Sequence, residues 1–331
     1  MAPSTRNFLV GSAVVVVAGL CTGLVAFYGG TLSGREAART EFSYIPSDVT
    51  AVGFADVRNI MDSQFRQKLH EVMPTGAEKD RLFAETGIDI ERDIDTVVAG
   101  LTGGDSTGAV VLLRGRFDRN RIEALATEHG MRQEQYGGNA LLVGPAVDAG
   151  IDGGVPAPHV PSIAFLDDGL LAIGEVSAVR RAIDVAASGA SVTGNAEMMR
   201  FINTVQGSGN AWMVGHADQV ASQPQLPDMI RSQIQGLQWL SISADIDRDV
   251  TGIIRGEARD DESAQQLRTM LSGALVAARM FGEQDPRAAA ALNAIQTSGT
   301  GRNVELSFLL PATVLDLVPS ASPTPETVPA Q

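Results

Sequence analysis

The sequence predicts an α+β fold: an N-terminal single transmembrane helix followed by two similar lobes, each a mixed or antiparallel sheet with helices. Three observations lead there. Residues 8–28 form an apolar run without a charge. Strand-like and helical segments alternate through the rest of the chain, several of the strands in hairpin pairs. Two stretches, "VGFAD" (52–56) and "VGHAD" (214–218), each end a strand and lead into helical sequence, as an internal duplication would.

The apolar run is "FLVGSAVVVVAGLCTGLVAFY". At about 1.5 Å per residue it spans a hydrocarbon core of about 30 Å. It exceeds the h-region of a cleaved signal peptide, and its exit "AFYGG" is a poor cleavage site. Leu20 before Cys21 argues against a lipoprotein signal. An uncleaved signal anchor is therefore expected, with Phe27 and Tyr28 at the far interface. The short segment 1–7 is expected in the cytoplasm of a bacterium and the remainder outside the inner membrane, in the periplasm or beyond. The expected divisions are a spacer over 29–44, a first lobe over 45–206, a second over 207–318 and a disordered Pro-rich tail over 319–331.

In the first lobe, "TAVGFADV" reads as a strand and "DSQFRQKLHEVM" as a helix, with Phe65, Leu69 and Val72 on one face. "TGAEKDRLFAETG" has a Thr75–Glu78 capping box and a Gly87 stop. "DTVVAGL" and "AVVLLRGRF" are strands around "GGDSTG" (103–108). "DRNRIEALATEHG" is a helix capped by Asp118 and ended by Gly130. Hairpins turn at Gly137-Gly138 and at Asp168-Gly169, the second with a type I′ signature. The Gly/Pro-rich "DAGIDGGVPAPHVP" lies between them as a loop. Helices follow over 177–189 and in "NAEMMRFINTV".

The second lobe opens with the strand "AWMVGHAD". A helix around "PDMIRSQIQGL" leads to the strands "QWLSISADI" and "VTGIIRGEA". The helices "DESAQQLRTMLSGALVAARMF" and "DPRAAAALNAIQT" come next, the latter with Pro286 in its first turn. "RNVELSFLLP" is a closing strand and "ATVLDLV" a short helix. Arg114-Gly115 and Arg255-Gly256, each late in a strand, extend the echo between the halves.

Composition bounds the function. The chain carries 25 Lys and Arg against 39 Asp and Glu, a formal net charge of −14. Such a surface repels nucleic acid and anionic headgroups. The single cysteine excludes an intramolecular disulfide, and the four histidines make no metal-binding pattern. No nucleotide-binding or zinc-hydrolase motif is present. No catalytic, cofactor-binding or metal-ligating residue is expected.

Three local features invite a sharper reading. Gly104, Ser106 and Gly108 have the G-x-S-x-G spacing of a nucleophile elbow. That motif needs a helix after the serine, whereas "AVVLLRGRF" reads as a strand, so a hairpin turn is favoured. The acidic cluster Asp89, Glu91, Asp93 and Asp95 offers paired carboxylates but also suits a helix N-terminus. Asp245, Asp247 and Asp249 alternate like the start of a calcium loop, but Val250 stands where that loop needs glycine. They read as solvent-facing turn residues. His216 matches Phe54 in the echo and reads as a packed residue. Trp212 and Trp239, the only tryptophans, are expected in the core, with an apolar pocket as the alternative.

"YIPSDVTAVGFADV", "ETGIDIERDIDTVVAGL" and "VELSFLLPATVLDLV" resemble segments of bacterial envelope proteins in domain-of-unknown-function families. The resemblance extends over residues 42–318. It implies a duplicated α+β ectodomain behind a membrane anchor and carries no assigned activity or site residue. The expected function is a non-enzymatic, membrane-anchored protein whose ectodomain binds or scaffolds other envelope components. The alternatives are a tethered hydrolase using Ser106 or the Asp89–Asp95 cluster, and a carrier of an apolar ligand near Trp212 and Trp239.

Overall fold

A computed structural model describes residues 40–72, 83–84, 87–102, 108–146, 160–218, 236–282 and 286–317. The expected anchor 8–28, the capping box at Thr75–Glu78, Ser106, the loop 148–159, the helix around 227–235 and the tail 319–331 lie outside these residues. Among the described residues no helix is long and apolar enough to cross a membrane.

The fold is α+β, built on one 12-stranded sheet in which every pairing is antiparallel. The strands are β1 (Val49–Asp56), β2 (Ile94–Thr102), β3 (Gly108–Gly115), β4 (Arg132–Tyr136), β5 (Asn139–Val143), β6 (Pro161–Asp167), β7 (Leu170–Glu175), β8 (Ala211–His216), β9 (Leu237–Ile246), β10 (Val250–Ala258), β11 (Gln296–Ser298) and β12 (Asn303–Leu310). Their order across the sheet is β11-β12-β10-β9-β8-β1-β2-β3-β7-β6-β5-β4. The expectation of two lobes with separate sheets is corrected here. β1 and β8, the first strand of each half, pair with each other and fuse both halves into one sheet. Unpaired, each would present a row of free N–H and C=O groups along an apolar edge.

Each of these two strands lies next to its own hairpin, β1 beside β2–β3 and β8 beside β9–β10. Val52 stands directly opposite Val214 in the shared register. At Gly215 a Cβ would come within 2.7 Å of the Ala51 Cβ, so a side chain there would push the two strands apart. The two Arg-Gly pairs do not coincide. Arg114 lies in the cross-strand row of Thr96 and Asp56, whereas Arg255 lies in that of Ser241 and Val214.

The helices are α1 (Val57–Asp62), α2 (Gln64–Val72), α3 (Ile90–Asp93), α4 (Arg119–Glu128), α5 (Val176–Ser188), α6 (Ala196–Val205), α7 (Asp261–Gly282) and α8 (Pro286–Asn293). On the front face, which carries Val52 and Val214, α5 and α6 cover the middle of the sheet. Val179 and Ile183 of α5 and Met198, Phe201 and Ile202 of α6 share a core with Val98, Leu112 and both tryptophans. On the back face Ile122 and Ala126 of α4 pack on Val97, Val111 and Leu113. Further along the back, Ala264, Leu267 and Leu271 of α7 pack on Leu240 and Ile242. Because β2 and β3 are covered on both faces, their middles are continuous apolar runs rather than alternations.

The halves also interlock through their helices. Phe65 of α2, from the first half, joins Ile246, Val250 and Phe308 of the second. Its N–H donates to the Asp247 carbonyl at 2.8 Å, and Lys68 pairs with Asp316 at 2.8 Å. The expected spacer is shorter than 29–44, because its end is part of the fold. Glu41 and Phe42 are buried on the front face, where Glu41 pairs with Arg114.

Asp118, Asn195 and Asp56 cap their helices through side-chain oxygens. The expected turn at Gly137-Gly138 forms, and its φ values of 55° and 84° are those of a type I′ hairpin, the type expected at the other turn. The Asp168-Gly169 turn forms without the expected left-handed backbone. Asp167 instead accepts the Gly169 N–H at 2.7 Å, and a register shift between Phe165 and Asp167 absorbs the difference. Gln296 and Thr297, expected as the end of a helix, open with Ser298 the edge strand β11, held by Ser307, Leu306 and Glu305.

Candidate functional site

At one end of the front face, β1, β8, β9 and β10 meet the turn that follows α6. They enclose an open pocket of about 480 Å³. One cross-strand row builds its floor. Asp245 pairs with Thr251, and Asn210 leads directly into the register that sets Ala211 against Ala244. On the other side the Asp56 N–H donates to the Asn210 carbonyl at 2.7 Å. Asn210, itself buried, locks the corner. Its amide donates to the Ile246 carbonyl at 2.8 Å and its Oδ1 accepts the Ile246 N–H at 3.0 Å.

The wall is aromatic. Phe54 and Trp212 face each other across β1 and β8, their rings stacked with centroids 5.6 Å apart and planes 16° apart. Phe42 meets the Trp212 ring edge-on at 6.1 Å. Trp212 is thus pinned from two sides while part of it lines the pocket. The opposite wall is the turn Gln206–Asn210. It lies so close to β9 that a Cβ on Gly209 would sit 2.2 Å from the Ala244 carbonyl oxygen. Glycine is what lets this turn lie on the strand.

Two carboxylates border the space. Asp56 is nearly buried and accepts the Asn59 N–H at 3.0 Å, capping α1. Asp245 is exposed. Among the described residues no lysine, arginine or histidine lines the pocket. Ser243 stands on the same face, directly opposite Trp212 and two residues before Asp245. It is 1 % exposed, and its hydroxyl has no hydrogen-bond partner among the described residues.

A second polar group lies farther along the same face. Glu41 pairs with Arg114, whose guanidinium also reaches Asp167 at 3.6 Å. Tyr44 lies beside them. Burial, then the negative charge of Asp167, holds its phenol above the ordinary tyrosine range.

Of the residues singled out from the sequence, Trp212 and Asp245 line this pocket and the others fall elsewhere. Ser106 lies outside the described residues, but its flanks do not. Thr102 pairs with Gly108, and the segment after it is β3, not a helix. In the acidic cluster, Asp89 caps α3 by accepting the Glu91 N–H at 3.0 Å, and Asp93 accepts the Asp89 N–H at 2.8 Å. Glu91 pairs with Arg66 at 3.2 Å and Asp95 with Arg58. Among the described residues no group of three or more His, Cys, Asp or Glu is placed to hold a metal. Trp239 is packed between Phe201 at 4.4 Å and His216 at 4.0 Å, and its indole N–H donates to Glu197 at 3.1 Å.

Asp56, Asn210 and Asp245 were not legible as one site. A signal was present in the aspartate that ends "VGFAD" and in the Asp245–Asp249 alternation. What brings them together is the β1–β8 pairing, which no local pattern states.

No protein-family model matches this sequence, and no curated protein sequence matches it. Among solved structures, that of TP0453 in crystal form I aligns over 84% of this chain and 96% of that one, with a TM-score of 0.48 and 8% identity. A likeness of this depth assigns no activity and no residue role.

Proposed function

We propose that this chain is a non-enzymatic protein of the bacterial envelope, anchored in the inner membrane through residues 8–28, whose folded part binds another envelope component in the front-face pocket. The observation that carries the reading is the pocket. Elements from both halves converge on it, it has an aromatic wall and polar edges, and its volume falls in the range of ligand sites. Among the described residues its hydroxyls, Ser208 and Thr251, have no histidine or lysine beside them in the lining to act as a base. The flanks of Ser106 favour a turn over a nucleophile elbow. The matched placement of β1 and β8 beside their hairpins supports a further proposal, that the two halves descend from one duplicated unit.

The test is done in intact cells. The protein should stay with membranes after carbonate washing and lose its folded part to protease added outside the inner membrane. A photo-reactive amino acid at Thr251, on the pocket rim, should give a discrete covalent adduct. Recovery of a soluble cytoplasmic protein, or no adduct at Thr251, would overturn the reading.

A further inference from the structure

We propose that two copies of this chain, anchored in the same membrane, pair through the outer face of α7, with the two helices antiparallel. The inference goes beyond ligand binding in the pocket and rests on the proposed function only for the anchor.

The inner face of α7 belongs to the fold: Ala264, Leu267 and Leu271 pack on Leu240 and Ile242. Its outer face turns from polar to apolar along the helix. Asp261, Glu262, Gln265 and Gln266 are exposed at the start, and Met270, Gly273, Ala274, Val276, Ala277 and Met280 farther on. Met270 is 37 % exposed, Val276 56 % and Met280 70 %, and these are three of the five large hydrophobic side chains exposed among the described residues. An exposed apolar stripe gathered on one element is characteristic of an interaction surface. Gly273 is a separate sign. A Cβ there would meet nothing within 4 Å. The fold thus has room for a side chain at a position where glycine weakens the helix. Close approach of a second backbone is what uses that space.

Charge, spacing and the placement of the arginines choose a second copy as the occupant. The chain carries a formal charge of −14, yet residues 263–282 contain no Asp or Glu. Two copies repel each other over most of their surface and meet without that repulsion here. The stripe is also close to palindromic. Met270 and Met280 stand equally far on either side of Leu275, and so do Gly273 and Ala277, and Ala274 and Val276. A two-fold axis at the level of Leu275 sets each residue against its counterpart in the other copy, as an isologous interface requires. The small residues then meet where the helix axes come closest. The methionines, which adapt to irregular gaps, close the two ends. The antiparallel arrangement opposes the two helix dipoles and leaves Asp261 and Glu262 past the end of the partner helix. A bilayer surface, the competing occupant, favours a helix with basic residues along its rim. Arg268 donates instead to the Gly301 and Asn303 carbonyls at 2.9 and 2.7 Å, and Arg279 to those of Leu292 and Ile295 at 3.3 and 2.7 Å. Both guanidiniums of this stretch are thus turned to the body of the protein. A single helix crossing buries less than the roughly 1,200 Å² of a stable interface between freely diffusing proteins. Anchors in one membrane raise the effective concentration of the copies, so the pairing belongs to the anchored chain.

The test uses the full chain in its membranes, with Cys21→Ser to remove the native thiol. Two differently tagged copies are co-expressed, one with Met270→Cys and the other with Met280→Cys, and the membranes are treated with a short bismaleimide. The mixed pair should cross-link several-fold more than either variant with itself, because like cysteines lie about 15 Å apart along the antiparallel helices. Adding Gly273→Leu to both copies should lower the mixed yield about tenfold by forcing the helices apart. The thermal midpoint of that purified variant should not fall, since leucine has room there and favours a helix. Like pairs that cross-link as well as the mixed pair, adducts to another protein alone, or a yield unmoved by Gly273→Leu would overturn the inference. So would the absence of any cross-link; quenching by brominated lipids of a tryptophan placed by Met280→Trp would then assign the face to the bilayer. No cross-link in a chain that resists carbonate washing removes the pairing and leaves the anchor standing. A mixed cross-link in a chain that carbonate strips from the membrane removes the anchor and leaves the α7 pairing.

Discussion

Val52 and Val214 form a directly opposed cross-strand pair in the middle of the sheet, both fully buried on the same face. They join the two halves of the chain, and their methyl groups belong to the core beneath α5 and α6. Val52→Ala and Val214→Ala should each cost about 1–3 kcal/mol, from lost burial plus the cavity left behind. Because the two side chains touch the same neighbourhood, the double variant should depart from additivity by about 0.5 kcal/mol or more. Chemical denaturation followed by tryptophan emission measures all three. Full additivity would mean that the two valines do not share a core.

Asn210 satisfies both backbone groups of Ile246 and accepts from Asp56. Asn210→Ala strands a buried N–H and a buried C=O. The cost should be about 2 kcal/mol or more, with Asn210→Asp intermediate because it keeps only the acceptor. Hydrogen exchange at the Ile246 amide should accelerate in the alanine variant. An unchanged exchange rate would show that this amide is protected by something else.

Glu41 ties the start of the fold to β3 through Arg114. Removing the carboxylate leaves a three-quarters buried guanidinium with the weaker Asp167 contact at 3.6 Å as its remaining ion pair among the described residues. Glu41→Ala should therefore destabilise by about 1–3 kcal/mol, and Glu41→Gln by less. A chain beginning at Thr40 should be as stable as one carrying the preceding spacer. One beginning at Ile45 should be clearly weaker, because it also loses Phe42 from beside Trp212.

Two groups give opposite pH signatures. Asp260 accepts the Ser263 N–H at 2.7 Å at the start of α7, and this bond, foremost, lowers its pKa below the ordinary aspartate range. A lowered folded-state pKa contributes stability that is present above the unfolded value and lost as pH falls through the folded one. Asp260→Asn should keep the cap and flatten the acid limb of the stability profile. Tyr44 behaves conversely. Its raised pKa contributes stability that is complete below the unfolded tyrosine value of about 10 and lost as pH rises through the folded one. Tyr44→Phe should flatten the alkaline limb. Denaturation midpoints across pH for both variants check the signs.

If residues 103–107 make the hairpin turn proposed for them, Ser106→Ala should leave stability within about ±0.5 kcal/mol. A fluorophosphonate probe should not label the protein. Stoichiometric labelling at Ser106 would reinstate the hydrolase alternative despite the strands on either side.

The sequence by itself determined the elements. Period-two and period-3.6 patterns, helix caps and Gly-rich turns located nearly every described strand and helix, because these signals act within a few residues of the chain. Asp118, Asn195 and Gly189 punctuate helices where their local chemistry requires it. The sequence also carried the echo between Val52–Asp56 and Val214–Asp218. What it did not state is that these two stretches pair with each other. Strand pairing is a long-range choice, made by whichever apolar edges remain uncovered once each hairpin has closed, and it converted two expected sheets into one. The pocket follows from the same choice. Asp56 and Asp245 are far apart in sequence and become neighbours across β8 only when β1 docks on that strand, so tertiary structure alone could place an aromatic wall and two carboxylates around one space.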